Sequence, residues 1–145
     1  MEFRHTVEIA APPETVLAFL ADLEHHRDLH PLIESIAEVD PPGDRPDARA
    51  HDIVDLVPIG PFRVRTTYRA VVERNGTDRV VAEAWQRPRV HLRTTYTATA
   101  TAGGTHLSEH VRITAPFGLR RFVVRQARNA HAATMRALPG VMERR

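Results

Sequence analysis

Between Phe62 and Thr114 the chain alternates apolar and polar residues and is cut by three short turn signals, Asn75-Gly76, Pro88-Arg89 and Gly103-Gly104. This pattern constrains the fold most. A period of two is that of a strand, and connections this short can only join antiparallel neighbours. Asn-Gly and Gly-Gly suit tight hairpins, whereas Pro88 cannot take the positive φ such turns want. Reading all three as two-residue turns sets a register. It puts Tyr68 opposite Glu83, Thr66 opposite Trp85, Val81 opposite Tyr96, Trp85 opposite Leu92 and Ala98 opposite Glu109. One face then collects Phe62, Val64, Thr66, Tyr68, Ala70, Val81, Glu83, Trp85, Leu92, Thr94, Tyr96, Leu107, Glu109, Val111 and Ile113. The other collects Arg63, Arg65, Arg69, His91, Arg93, Thr95, Thr97, His110 and Arg112. A slip of one residue exchanges the faces, so an apolar face common to all the strands supports this register.

The flanks are of other kinds. FRHTVEI (3–9) alternates as a strand, and Ala-Pro-Pro-Glu follows with prolines suited to a first helical turn. Val16, Phe19, Leu20 and Leu23 form an i, i+3, i+4, i+7 stripe that predicts a helix over 13–23. Pro31 ends any second short helix near Leu29, and IESIAEV (33–39) returns as a strand before the turn-rich PPGDRPD (41–47). Residues 117–138 predict a long terminal helix. Leu119, Phe122, Val123, Gln126, Ala130, Ala133 and Thr134 are expected on its inner face, with Arg121, Arg125 and Arg128 opposite. The small residues of that inner face leave room between helix and sheet.

The 145 residues suffice for one domain, expected to span 1–145. The absence of cysteine removes disulfides, thiolate metal sites and thiol nucleophiles together. All 20 basic side chains are arginines, so Schiff-base chemistry on lysine is excluded and the pI of 9.9 is no nucleic-acid signal. Charge is unevenly spread: residues 1–60 carry 13 acids and 4 arginines, and 61–145 carry 5 acids and 16 arginines. Two halves of one fold attracting each other explain this better than a basic binding surface does. No apolar run is long enough for a membrane span, so stable membrane insertion is not expected. MEFRHTVEIA carries charges where a signal peptide needs its apolar centre, so a cytoplasmic location is expected.

In VEIAAPPETVLAFLADLEHHRDLHPLIESI (7–36), GGTHLSEHVRI (103–113) and FVVRQARNAHAATMRAL (122–138), the chain resembles the START-like (SRPBCC) superfamily, in its polyketide cyclase/dehydrase-like branch. The resemblance implies an α+β helix-grip fold. A curved antiparallel sheet of about seven strands wraps a long C-terminal helix, with two short helices after the first strand. It also implies a cavity for a hydrophobic or amphipathic molecule. Members include polyketide aromatase/cyclases, lipid and sterol carriers and hormone-binding proteins, so the fold leaves the activity open.

The expected inner face carries polar groups that a purely structural core avoids: Thr66, Tyr68, Glu83, Thr94, Tyr96 and Glu109, with Gln126 and Thr134 facing them from the helix. Glu83, beside Tyr68, is the best acid/base candidate, since a carboxyl in a dry pocket tends to a raised pKa. The plainer alternative is that Glu83 bonds to Tyr68 or an arginine and does no chemistry. Glu109 is expected at a solvated rim, and Trp85 and the tyrosines as lining. In HHRDLHPL (25–32), His26 and His30 have metal-ligand spacing, but Pro31 breaks the turn and no third ligand is evident, so no metal and no cofactor are expected. The resemblance puts this segment near the cavity entrance, where His30 would touch a ligand.

Three functions follow. The leading one is carriage of a small hydrophobic ligand by Thr66, Tyr68, Glu83, Trp85, Thr94, Tyr96, Glu109, Gln126 and His30. The second is a cyclase or dehydratase using Glu83 and Tyr68. The third is an interaction module that presents the arginine face to an acidic protein. Nucleic acid is not an expected partner, because that face lacks aromatics on which bases could stack. A second copy of the chain is left open as a partner.

Overall fold

A computed structural model describes residues 1–145. The strands are β1 (Glu2–Ile9), β2 (Ile33–Val39), β3 (Arg49–Ile59), β4 (Phe62–Asn75), β5 (Arg79–Gln86), β6 (Val90–Thr101) and β7 (Gly104–Thr114). They form one antiparallel sheet in the order β1-β7-β6-β5-β4-β3-β2. Helix α1 (Pro13–Ala21) and a 3-10 segment (Leu23–Asp28) link β1 to β2. Helix α2 (Arg120–Glu143) follows β7 after a 3-10 turn at Phe117–Leu119. This is the helix-grip architecture expected from the sequence.

The core lies on the concave face. Val16, Leu17, Phe19 and Leu20 of α1 meet Leu138, Val141 and Met142 from the end of α2, over Val72, Val80, Ala98 and Leu107 of the sheet. Leu17, Leu20, Leu107 and Leu138 are wholly buried, each contributing about 1.5–3 kcal/mol of transfer free energy. Near the start of α2, Val124 packs with Phe3, Val111 and Ile113. The helix runs past its expected end because Pro139 costs one backbone bond while the turn beyond it buries Val141 and Met142.

Two hairpins depart from the expected register. Asn75 pairs with Arg79, so the first loop has three residues, with Gly76 at φ +70°. Gln86 pairs with Val90, so the second also has three; Pro88, fixed in φ, follows a cis bond and Arg89 takes the positive φ of 53°. Each loop shifts the pairing by an odd number, and the two shifts cancel beyond β5. Only β5 is turned over: Val80, Ala82 and Ala84 face the core, while Val81, Glu83 and Trp85 face outward. The third hairpin closes one residue early, pairing Thr101 with Gly104. That slip is even, so β7 keeps its face, but Glu109 moves from opposite Ala98 to opposite Tyr96.

Candidate functional site

A cavity of about 100 Å³ lies between the concave face, the 3-10 segment and α2. Its apolar walls include Leu23, Ile33, Ile53, Ala70, Ala82 and Leu92, and its polar groups are His26, His30, Tyr68, Thr94, Tyr96 and His131. Glu83 borders it only through the main chain between Ala82 and Ala84, because its carboxylate lies on the other side of the sheet.

Behind one wall sits a buried carboxylate with three partners. Glu109 is wholly buried in the middle of β7. Its Oε2 accepts from His131 Nδ1 of α2 at 2.7 Å, and its Oε1 from His5 Nδ1 of β1 at 3.1 Å. The Tyr96 hydroxyl, across the ladder, also favours the charged form. Burial alone would raise the Glu109 pKa, but the bonds from His131 and His5 outweigh it and hold the carboxyl below its ordinary range. An ionised carboxylate only accepts, so Nδ1 of His131 carries a proton and Nε2, which makes no hydrogen bond, is its free nitrogen. Burial beside this charge pushes the Tyr96 hydroxyl well up.

The 3-10 segment supplies the opposite wall. Asp22 caps it by accepting from the Glu24 amide at 3.1 Å. His26 Nε2 donates to the Leu20 carbonyl at 3.1 Å, which ties the segment to the end of α1. The Thr134 hydroxyl donates to the Ala130 carbonyl at 3.0 Å, so His30 Nε2, 2.9 Å away, donates to it. Burial lowers both His26 and His30 to about 4, with nearby histidines adding to the effect, so both are neutral at pH 7.

Of the expected site residues, His30, Tyr68, Thr94 and Tyr96 line the cavity through their side chains. Burial also pushes the Tyr68 hydroxyl up. Glu109 is no rim residue; it is central and buried. Trp85 and Glu83 are on the convex face. There Glu83 accepts from Arg45 at 2.8 Å, from His91 at 2.7 Å and from Arg93 at 3.2 Å, while Trp85 stacks on His91. Burial would raise Glu83, but His91 and Arg45 hold it lowered, which is unsuited to an acid at neutral pH. Gln126 is exposed, because the inner stripe of α2 runs through Val124, Ala127, His131, Met135 and Leu138 instead. Thr66 stands opposite Asp55, outside the cavity wall.

Sequence reasoning missed His5, His131 and Asp55. Burial raises the Asp55 carboxyl to about 6, and its Oδ1 has no partner. The signal for His131 was its place seven residues beyond Val124 and seven before Leu138, on the stripe that α2 buries. His5 alternates with Phe3 and Val7 on the inner face of β1.

Sheet, helix and cavity together define a START-like helix-grip protein. The chain belongs to the polyketide cyclase/dehydrase and lipid transport family, whose profile matches residues 1–143. The TTHA0849 protein of Thermus thermophilus is similar in structure, at TM-score 0.74 and 20% identity over 98% of this chain and 97% of that one. So is the Zhui aromatase/cyclase of a Streptomyces species, at TM-score 0.77 and 17% identity over 100% and 94%. A START superfamily protein of Mycobacterium smegmatis superposes at TM-score 0.69 and 17% identity over 99% and 97%. No curated protein matches the sequence. No helix is long and apolar enough to cross a membrane.

Proposed function

We propose that this protein binds a small hydrophobic or amphipathic molecule in the concave cavity. The observation that carries the reading is the convergence of His26, His30, Tyr68, Thr94, Tyr96 and His131 on a space whose other walls are apolar, the usual form of a small-molecule site. At about 100 Å³, the space takes a single ring or a short acyl segment, well below the ~300 Å³ of sites that enclose a drug-sized ligand. A larger ligand must leave part of itself outside. The free Nε2 of His131 would meet a hydroxyl or carbonyl on that ligand. Filling the space through Ala82→Phe should abolish binding of single-ring phenols, followed by histidine chemical shifts, in a protein that still melts cooperatively. Undiminished binding would place the ligand elsewhere.

A second reading, acid–base catalysis, is favoured by the Glu109–His131 pair. A carboxylate that fixes the tautomer of a histidine, whose other nitrogen is free at a cavity wall, is the arrangement of a general base. The likeness to an aromatase/cyclase fits removal of a proton beside a ketone. On this reading His131, not Glu83, touches the substrate, and Glu109 positions it. His131→Gln should keep binding and lose turnover; equal turnover would remove the base role.

A further inference from the structure

The convex face holds a second built feature, independent of the cavity. Arg4, Arg79, Arg93 and Arg112 surround a recess of about 330 Å³ that no apolar residue lines. Its floor is Thr95, Thr97, Ser108 and His110. The ladders fix this layout: Thr97 lies between Arg79 and Ser108, and His110 between Thr95 and Arg4. Short hydroxyl residues in the middle and long arginines around them create depth on a sheet surface that would otherwise be flat.

Three arginines elsewhere on the sheet are each held by a carboxylate in a two-bond grip. Arg65 grips Glu34 with bonds of 2.7 and 2.8 Å, Arg69 grips Asp52 with 2.8 and 3.0 Å, and Arg74 grips Glu14 with 3.0 and 2.9 Å. Around the recess, Arg4 pairs with no carboxylate, and Arg79 reaches only Asp78, at 4.0 Å. Arg112 makes only a long ion pair with Glu2, at 3.5 Å, and Arg93 shares a Glu83 already engaged by Arg45 and His91. Arg93 and Arg112 are direct cross-strand partners, a placement of like charges that destabilises a sheet. His110 Nε2 is buried and unbonded, with a Glu2 oxygen 3.3 Å away but out of line. Folds break such a local rule at functional or strained positions.

The geometry points to an oxyanion-binding site on the outer sheet face, built for the phosphoryl or pyrophosphoryl group of a soluble molecule. Guanidinium forks and hydroxyl donors match phosphate oxygens, and a bound anion relieves the repulsion between Arg93 and Arg112. The recess holds no Phe, Tyr or Trp on which a base could stack, so the phosphoryl group rather than a nucleic acid is recognised. On the arginine face expected from the sequence, Arg65 and Arg69 are thus neutralised by Glu34 and Asp52, and the recess lies apart from them.

Calorimetric titration of inorganic pyrophosphate into the whole protein at about 150 mM salt tests it, since free surface charges are largely screened there. Saturable one-to-one binding is expected, weakened about tenfold or more by Arg4→Gln with Arg112→Gln. Arg65→Gln with Arg69→Gln should leave it within about twofold. Phosphatidylglycerol vesicles form the second arm, to tell a lipid headgroup from a soluble phosphate. Absence of saturable pyrophosphate binding, equal loss in both double variants, or vesicle binding without pyrophosphate binding would each overturn the assignment.

Discussion

His131 Nδ1 stands 2.7 Å from Oε2 of Glu109, a carboxylate with no solvent exposure. This bond joins the long helix to the sheet and sets which nitrogen of His131 is free. Glu109→Ala strands the Nδ1 protons of His5 and His131 among apolar neighbours. Breaking one side of a buried, charge-assisted network costs about 3–5 kcal/mol, so urea unfolding should show a loss of that size. Glu109→Gln keeps the volume but can accept from only one of the two histidines, and about 1–3 kcal/mol should be lost.

Acid should weaken the protein through His26 and His30. Their folded pKa values, about 4, lie below the ordinary 6.5. Between those values the unfolded chain binds protons that the native state refuses. Stability is therefore complete above about pH 6.5, declines as the pH falls, and loses nothing further from these groups below about 4. Each contributes on the order of 3 kcal/mol to the decline. Chemical denaturation from pH 7.5 to 4 should show this slope, and His30→Gln should remove about half of it.

Glu83→Gln is expected to leave cavity binding unchanged, because the side chain is on the far side of the sheet. It should instead loosen the loop that carries Arg45, and hydrogen exchange over 41–47 is the measurement that shows it. A stability loss of about 1–3 kcal/mol should accompany this, because Arg45, His91 and Arg93 lose a charged partner.

Gly104 closes the last hairpin at φ +143°, where an added Cβ would stand 2.2 Å from the Ile9 carbonyl oxygen. Gly104→Ala must push β1 from β7 or abandon the turn. A loss of about 2–4 kcal/mol in the unfolding free energy is expected.

The fold was legible because its signals repeat: alternation, turn chemistry, the α1 stripe and a long terminal helix all agree. The site was less so, and β5 shows why. In Val80-Val81-Ala82-Glu83-Ala84-Trp85 either set of alternate residues makes a passable apolar face. Two three-residue loops read as two-residue turns reversed this strand alone, and every other strand still looked right. That error brought Glu83 inside, while the separate slip of the third hairpin set the real carboxylate, Glu109, two residues too far along β6, at a supposed rim. On α2, alanines at 127, 130, 132, 133 and 137 blur the stripe. A rotation of about one residue was enough to exchange Gln126 for His131. The resemblance supplied the cavity and His30 at its edge; neither it nor the spacing supplied His131.

A ligand seated in the concave cavity must lie against His30 and His131. Histidine resonances followed during titration with single-ring phenols and short-chain fatty acids test it most directly, on the native chain and on Ala82→Phe. Saturable shifts of His30 and His131 are expected in the native chain and none in the variant. Shifts confined to His91 and His110 on the convex face, or saturable binding that survives Ala82→Phe, would contradict it.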